Sequence, residues 1–148
     1  MSKSLFGAVQ KHIDAKGRIS IPKSFRNSLK TSEDRELYIV MIDGVLTVFT
    51  PHYFDMVNHQ IQSKSLLNKK VRELQRLWGM RVSPLTWDSA GRIKLTPLQK
   101  SYAGIDHDVV LVGLNNRMEI WAQDKFSINQ KMHDEHFNNL TDELDSPV

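Results

Sequence analysis

Two apolar, β-prone runs, Leu37-Tyr38-Ile39-Val40-Met41-Ile42 and Val45-Leu46-Thr47-Val48-Phe49, flank Asp43-Gly44. Such runs around Asp-Gly are the strongest short-range hairpin signal a sequence carries. Upstream, Ala8–Ile13 alternates imperfectly and reads as a strand. Lys16-Gly17 supplies a turn, with Gly17 free to take φ > 0. Ile19 and Ile21 then alternate with Arg18 and Ser20, so one face is buried and the other carries the arginine. Pro22 suits the first position of a short helix, Pro22–Leu29, with Phe25 and Leu29 on its inner face. The polar stretch Lys30–Arg35 reads as a loop. Thr50-Pro51 predicts an N-cap and N1 for a helix that buries Phe54, Val57 and Ile61.

The same order then returns. Arg92–Leu95 is a strand, Thr96-Pro97 a cap and N1, Leu98–Tyr102 a short helix, and Ala103-Gly104 its stop. Val109–Leu114, Asn115-Asn116 and Arg117–Trp121 make a second hairpin. The repeat is sharpest at Asp14-Ala15-Lys16-Gly17-Arg18-Ile19 and Asp88-Ser89-Ala90-Gly91-Arg92-Ile93, both Asp-x-x-Gly-Arg-Ile, 74 residues apart in a chain of 148. The offset falls to 72 at Phe49/Trp121 and Phe54/Phe126. It slips inside a predicted loop, where insertions cost least. Duplication predicts this pattern.

Between the copies, Leu67, Val71, Leu74 and Trp78 share one helical face, with Lys70, Arg72 and Arg76 largely off it. From Ser127 a further helix is expected through Ile128, Met132 and Phe137, fraying over Asp142–Val148. The expected divisions are 5–54 and 83–126 for the two copies, 55–82 for connecting helices and 127–148 for the tail. One copy alone cannot bury its apolar faces, whereas two can close on each other.

Composition bounds the class. A chain of 148 residues makes one or two small domains, and 40% hydrophobic with 25% charged residues is ordinary for a globular protein. No apolar run approaches the roughly 20 residues of a membrane span. Met1–Gly7 lacks a signal-peptide core, so a cytoplasmic location is expected. Zero cysteine excludes disulfides, thiolate zinc sites and cysteine nucleophiles. Net charge is +3 but segregated: residues 1–30 set seven basic side chains against Asp14, and 61–81 set six against Glu73. Residues 31–60 and 127–148 are acidic. Such segregation fits a polyanion-facing surface with an acidic opposite side, although solvated helix faces produce it too.

The paired Asp-x-x-Gly-Arg motifs, each followed by an aliphatic strand, a helix and a hairpin, resemble the SpoVT/AbrB swapped-hairpin superfamily. The fused double copy, with Phe6-Gly7 near its start, is similar to the MraZ family of bacterial transcriptional regulators encoded with cell-wall and division genes. The resemblance implies an α+β, mainly β fold: two tandem swapped-hairpin repeats forming a pseudo-twofold double-split β-barrel. It also implies ring-shaped homo-oligomers, binding to repeated promoter sites on double-stranded DNA, nucleoid association and repression of the protein's own operon. No cofactor or metal is expected.

By position, the family motif lands on Asp14 and Arg18 and on Asp88 and Arg92. Arg18 and Arg92 would donate to phosphates or pair bidentately with guanine O6 and N7. Lys94, two residues past Arg92, joins them as a DNA-binding candidate. Lys16 at the turn tip and Lys11 one strand earlier suit phosphate neutralisation. Asp14 and Asp88, with Gly17 and Gly91, would brace the turns and orient the arginines. Ala90 stands where the first copy has Lys16, and Thr96 where it has Pro22, so the second copy is expected to contribute less to DNA. The plainer reading of each Asp–Arg pair is a local salt bridge worth about 0–1 kcal/mol, and for the aspartates that structural role is favoured. Trp78, Trp87 and Trp121 read as core or interface residues rather than base-stacking platforms.

Enzyme readings are weak. His133-Asp134-Glu135-His136 is not the His-Glu-x-x-His pattern, Asp106-His107-Asp108 has no obvious serine partner, and no Gly-rich phosphate loop is present. Two non-enzymatic rivals stay open. One is an antitoxin-like DNA binder whose tail captures a toxin, for which Thr141–Val148 is short. The other is an assembly module whose basic strip meets an acidic protein partner.

Overall fold

Asp43 and Gly44 both take positive φ, 57° and 74°, the type I′ geometry that lets two strands turn back without splaying. They join β3 (Leu37–Ile42) to β4 (Val45–Phe49). The structure, a computed structural model, describes residues 5–30, 36–130 and 133–145. Before this hairpin come β1 (Phe6–His12), β2 (Arg18–Ser20) and α1 (Lys23–Leu29); after it come α2 (Pro51–Gln62) and α3 (Lys69–Arg81). The chain continues through β5 (Val82–Leu85), β6 (Arg92–Lys94), α4 (Pro97–Ala103), β7 (Asp108–Leu114) and β8 (Arg117–Ala122). It ends in α5 (Gln123–Gln130) and α6 (His133–Asp145). The fold is α+β, with an antiparallel sheet.

Six strands lie in the order β1-β7-β8-β4-β3-β5, and β2 pairs with β6 in a separate two-stranded ribbon. Partners cross between the two halves of the chain. β1 runs antiparallel to β7, with Phe6 opposite Leu114 and His12 opposite Asp108, while β5 runs antiparallel to β3, with Leu37 opposite Leu85. β4 and β8 close the middle, Leu46 facing Ile120. In the ribbon Ile19 faces Ile93, and both are fully buried, so the ribbon's inner face caps the main core of Leu5, Leu29, Leu111 and Ile120.

A second, aromatic core lies under α2 and α3: Phe49, Phe54 and Trp78 around Val40, with Tyr38 stacked on Phe54 at 4.4 Å. The Trp78 indole N–H donates to Asn58 Oδ1 at 2.9 Å, tying α3 to α2.

Several elements depart from the sequence expectation for physical reasons. Pro22 holds an extended ψ of 144° and caps α1 from outside, so the helix begins at Lys23. Thr50 stands at the N-cap of α2, but its hydroxyl donates to the Asn116 carbonyl, a tertiary partner, and caps nothing. By contrast Thr96 and Gln99 form the full capping box of α4, and Gly104 ends it in the left-handed conformation. Leu67 precedes α3 and is 93% exposed, and Leu74 is also exposed. Only the Trp78 end of that predicted stripe is covered. β5 has no alternating pattern and contains Pro84, which is tolerated because β5 is an edge strand. The C-terminal helical segment starts at Gln123, ahead of the expected Ser127, and is helical to Asp145 on either side of residues 131–132; these, Met132 included, with residues 31–35 and 146–148, lie outside the described residues.

Candidate nucleic-acid interface

The first Asp-x-x-Gly-Arg loop is closed by its own backbone: Gly17 N–H donates to Asp14 O and Asp14 N–H to Arg18 O, each at 3.0 Å. The Asp14 carboxylate accepts from the N–H groups of Lys16 and Arg18 at 2.9 Å with one oxygen. The other accepts from Arg18 Nε at 2.7 Å. The aspartate therefore does two jobs with one side chain. It organises the turn and sets the direction of the guanidinium.

The second loop repeats this almost atom for atom. Ala90 and Arg92 N–H donate to one oxygen of Asp88 at 2.9 and 3.0 Å, and Arg92 Nε to the other at 2.7 Å. Hydrogen bonds to a carboxylate favour its charged form. The Arg18 backbone N–H is the largest influence on Asp14; partial desolvation opposes it, and the Arg18 side chain and the Lys16 N–H add to it. Together they hold the Asp14 carboxyl down at about 2. The same set from Arg92 and Ala90 lowers Asp88.

Each loop is locked onto the other half of the chain. Leu95 N–H donates to Gly17 O at 2.8 Å, and Ile21 N–H to Gly91 O at 3.2 Å. The ribbon continues from these contacts, with Arg18 opposite Lys94 and Ser20 opposite Arg92. Alternation puts all four on the face away from Ile19 and Ile93. Three cations thus share the solvent face of one short ribbon, held by backbone pairing despite two of them being directly opposed.

Of the residues singled out in the sequence, Arg18, Arg92 and Lys94 meet on this face, and Lys16 joins them at the loop tip. Lys11 does not. It sits in β1 opposite Val109, in the larger sheet. Trp78 is buried, Trp87 packs at the edge of the main core with Lys30 Nζ 4.5 Å from its ring centre, and Trp121 meets Phe126 edge-on at 6.1 Å. Asp108 Oδ1 lies 2.5 Å from His12 Nδ1, at the β1–β7 end, and Asp106 lies 3.6 Å from His107. Among the described residues no three His, Asp or Glu side chains converge as a metal site, and His133 and His136 are exposed on α6.

Two residues escaped the sequence reading. Lys100 on α4 lines a hollow beside Lys16, Gly17 and Lys94. Arg26 on α1 lies against Gly91 and donates through Nε to Ile21 O at 3.0 Å. The 74-residue offset maps Arg26 onto Lys100, and that correspondence was the available signal.

Comparison with known proteins gives a consistent result. The family model described as "MraZ protein, putative antitoxin-like" matches residues 5–77 and again 83–146. A protein of Thioalkalivibrio sulfidiphilus named Transcriptional regulator MraZ is 35% identical over 132 residues, 88% of this chain and 86% of that one. One of Nitratidesulfovibrio vulgaris with the same name is 33% identical over 93% of this chain and 91% of its own. One of Mycoplasmopsis pulmonis is 29% identical over 95% of each. A single family model that matches both halves, each carrying the same braced arginine loop, leads to one conclusion: this chain belongs to the MraZ family.

Proposed function

We propose that this protein is a sequence-specific regulator of transcription that binds double-stranded DNA as a ring-shaped homo-oligomer on repeated promoter sites, including those of its own cell-wall and division operon. The observation that carries the reading is the β2–β6 ribbon, with Arg18, Lys94 and Arg92 on one solvent face and both arginines oriented by aspartates. A major groove about 12 Å wide admits a two-stranded ribbon. Arg18 supplies the principal base or phosphate contact, Lys16 and Lys94 neutralise phosphates, and Lys11 adds to the field from further away. Arg92 acts from the second loop, which lacks a basic tip.

The architecture we assign is two tandem SpoVT/AbrB-like repeats, 5–54 and 83–126, joined by the helices of 55–82 and followed by 127–148. The exchange of β1 and β5 between the halves supports a swapped-hairpin, pseudo-twofold barrel. Self-assembly draws support from two exposed apolar faces of opposite charge. α3 shows Leu74, Leu77 and Met80 beside Lys70, Arg72 and Arg76, and α6 shows Phe137, Leu140 and Leu144 beside Asp134, Glu135 and Glu143. Docking α6 of one copy against α3 of the next covers both. Among the described residues no helix is long and apolar enough to cross a membrane.

The test is binding to duplex DNA from upstream of the protein's own gene, for wild type and Arg18→Ala, across a salt series, with the oligomer mass followed in parallel. Arg18→Ala is expected to weaken binding about 10- to 100-fold at unchanged mass. If wild type ignores that DNA even at low salt, the regulator reading fails and an assembly module with an acidic protein partner takes its place.

A further inference from the structure

The two loops look equivalent in their hydrogen bonds but differ in what lies beside them. Against the first loop is a hollow of about 390 Å³ lined by Ala15, Lys16 and Gly17 from one half and Lys94, Pro97 and Lys100 from the other. Among the described residues, none of the three lysine ammonium groups has a carboxylate ion-pair partner. At the second loop the 74-residue offset replaces Lys16 by Ala90, Lys94 by Ser20 and Lys100 by Arg26. There the Arg26 side chain lies directly over Gly91, with its Nε engaged by the Ile21 carbonyl. No lysine covers Gly17 in this way: a side chain at Gly17 would meet only the Leu95 backbone. One loop is open and rimmed by three cations; its counterpart is covered by a cation already held.

We infer that the hollow formed by Lys16, Lys94 and Lys100 is a phosphate-binding site, built across both halves of the chain, that seats a DNA backbone phosphate beside the first loop. The inference rests on the DNA-binding reading and deepens it. Three lysines around an open hollow act as point charges for a phosphate without reading sequence. Lys100 anchors this contact from α4 and so ties the register of the DNA to the second half of the chain. Arg26 performs a structural task, covering the second loop, and leaves no matching seat. A chain with near-twofold backbone symmetry thereby presents a one-sided contact to DNA.

Counterion release makes the inference measurable. Removing one phosphate contact reduces the slope of log K against log salt by about 0.9. Binding of wild type, Lys100→Ala and Lys23→Ala is therefore measured from 50 to 200 mM salt on promoter DNA and on a scrambled duplex of equal length, with thermal melting to confirm folding. Lys100→Ala is expected to weaken both duplexes equally and to show about a 3-fold smaller loss across that salt range, while Lys23→Ala, at the start of α1 and not among the residues lining the hollow, leaves the slope unchanged. An unchanged slope for a folded Lys100→Ala overturns the site while the regulator reading stands, as does a loss confined to promoter DNA. Failure of wild type itself to bind either duplex removes both.

Discussion

The carbonyl of Gly17 accepts a hydrogen bond from the Leu95 backbone N–H at 2.8 Å, so the tip of the first arginine loop is pinned to the strand that follows the second. A side-chain Cβ at Gly17 would stand 2.8 Å from the Leu95 carbonyl oxygen, and Gly17 has φ +80°. Backbone cannot give way as a flexible side chain can. Gly17→Ala is therefore expected to destabilise the fold by about 1–3 kcal/mol and to displace the loop. At Gly91, φ is also positive, but the obstacle is the Arg26 side chain, which can swing aside. Gly91→Ala should cost less, and urea unfolding of the two variants side by side decides it.

Acid should loosen the loops before it unfolds the core. Asp14 has a native-state pKa of about 2, below the ordinary 3.8, so its contribution is present above 3.8 and is lost as pH falls towards 2. Asp88 is shifted in the same direction. Wild type is expected to lose stability through that window, and Asp14→Asn to show a shallower dependence, because its amide binds no proton there. Denaturation midpoints from pH 6 to 2 provide the comparison, and a parallel slope for the two proteins would contradict it.

Arg92→Ala should weaken promoter binding less than Arg18→Ala does. Both guanidiniums are held by an aspartate at 2.7 Å, so orientation does not separate them. The surroundings do: Lys16, Lys94 and Lys100 gather at the first loop, and Ala90 and the engaged Arg26 stand at the second. Equal losses for the two variants in the same binding assay would show that both loops meet the DNA alike.

Leu77→Asp on α3 or Leu144→Asp on α6 should dissociate the proposed α3–α6 assembly while leaving the chain folded. Both positions are exposed in the single chain, 50% and 76%, so neither substitution removes a core contact. Loss of simultaneous engagement should lower affinity for repeated sites by about 10²-fold or more, with little change on a single repeat. Mass measured in solution for each variant, alone and on DNA, tests this.

Ile19→Ala should unfold the ribbon's support. Ile19 and its partner Ile93 are both fully buried, and truncating a residue of this kind costs about 2–5 kcal/mol. DNA binding should fail only in proportion to unfolding, which separates it from Arg18→Ala.

How far the sequence reached depended on how local the deciding contacts were. The Asp43-Gly44 turn, the Thr96 N-cap and both Asp-x-x-Gly-Arg loops were legible because every hydrogen bond that makes them spans at most a few residues. The repeat could be read for the same reason: each copy carries its own complete set of local instructions. Folding alone decided the partners. β1 joins β7 and β5 joins β3, Thr50 turns to Asn116 instead of its helix, and Lys100 arrives beside Lys16 from the other half of the chain. Hydrophobic periodicity states that a face must be covered but not by what. That is why Trp78 was placed correctly while Leu67 and Leu74, on the same expected stripe, remain exposed. The two loops are nearly identical as sequence. Their difference, one open and one covered by Arg26, exists only where the two halves meet, because it is made by side chains of the opposite half, Arg26 over Gly91 and Lys100 beside Gly17.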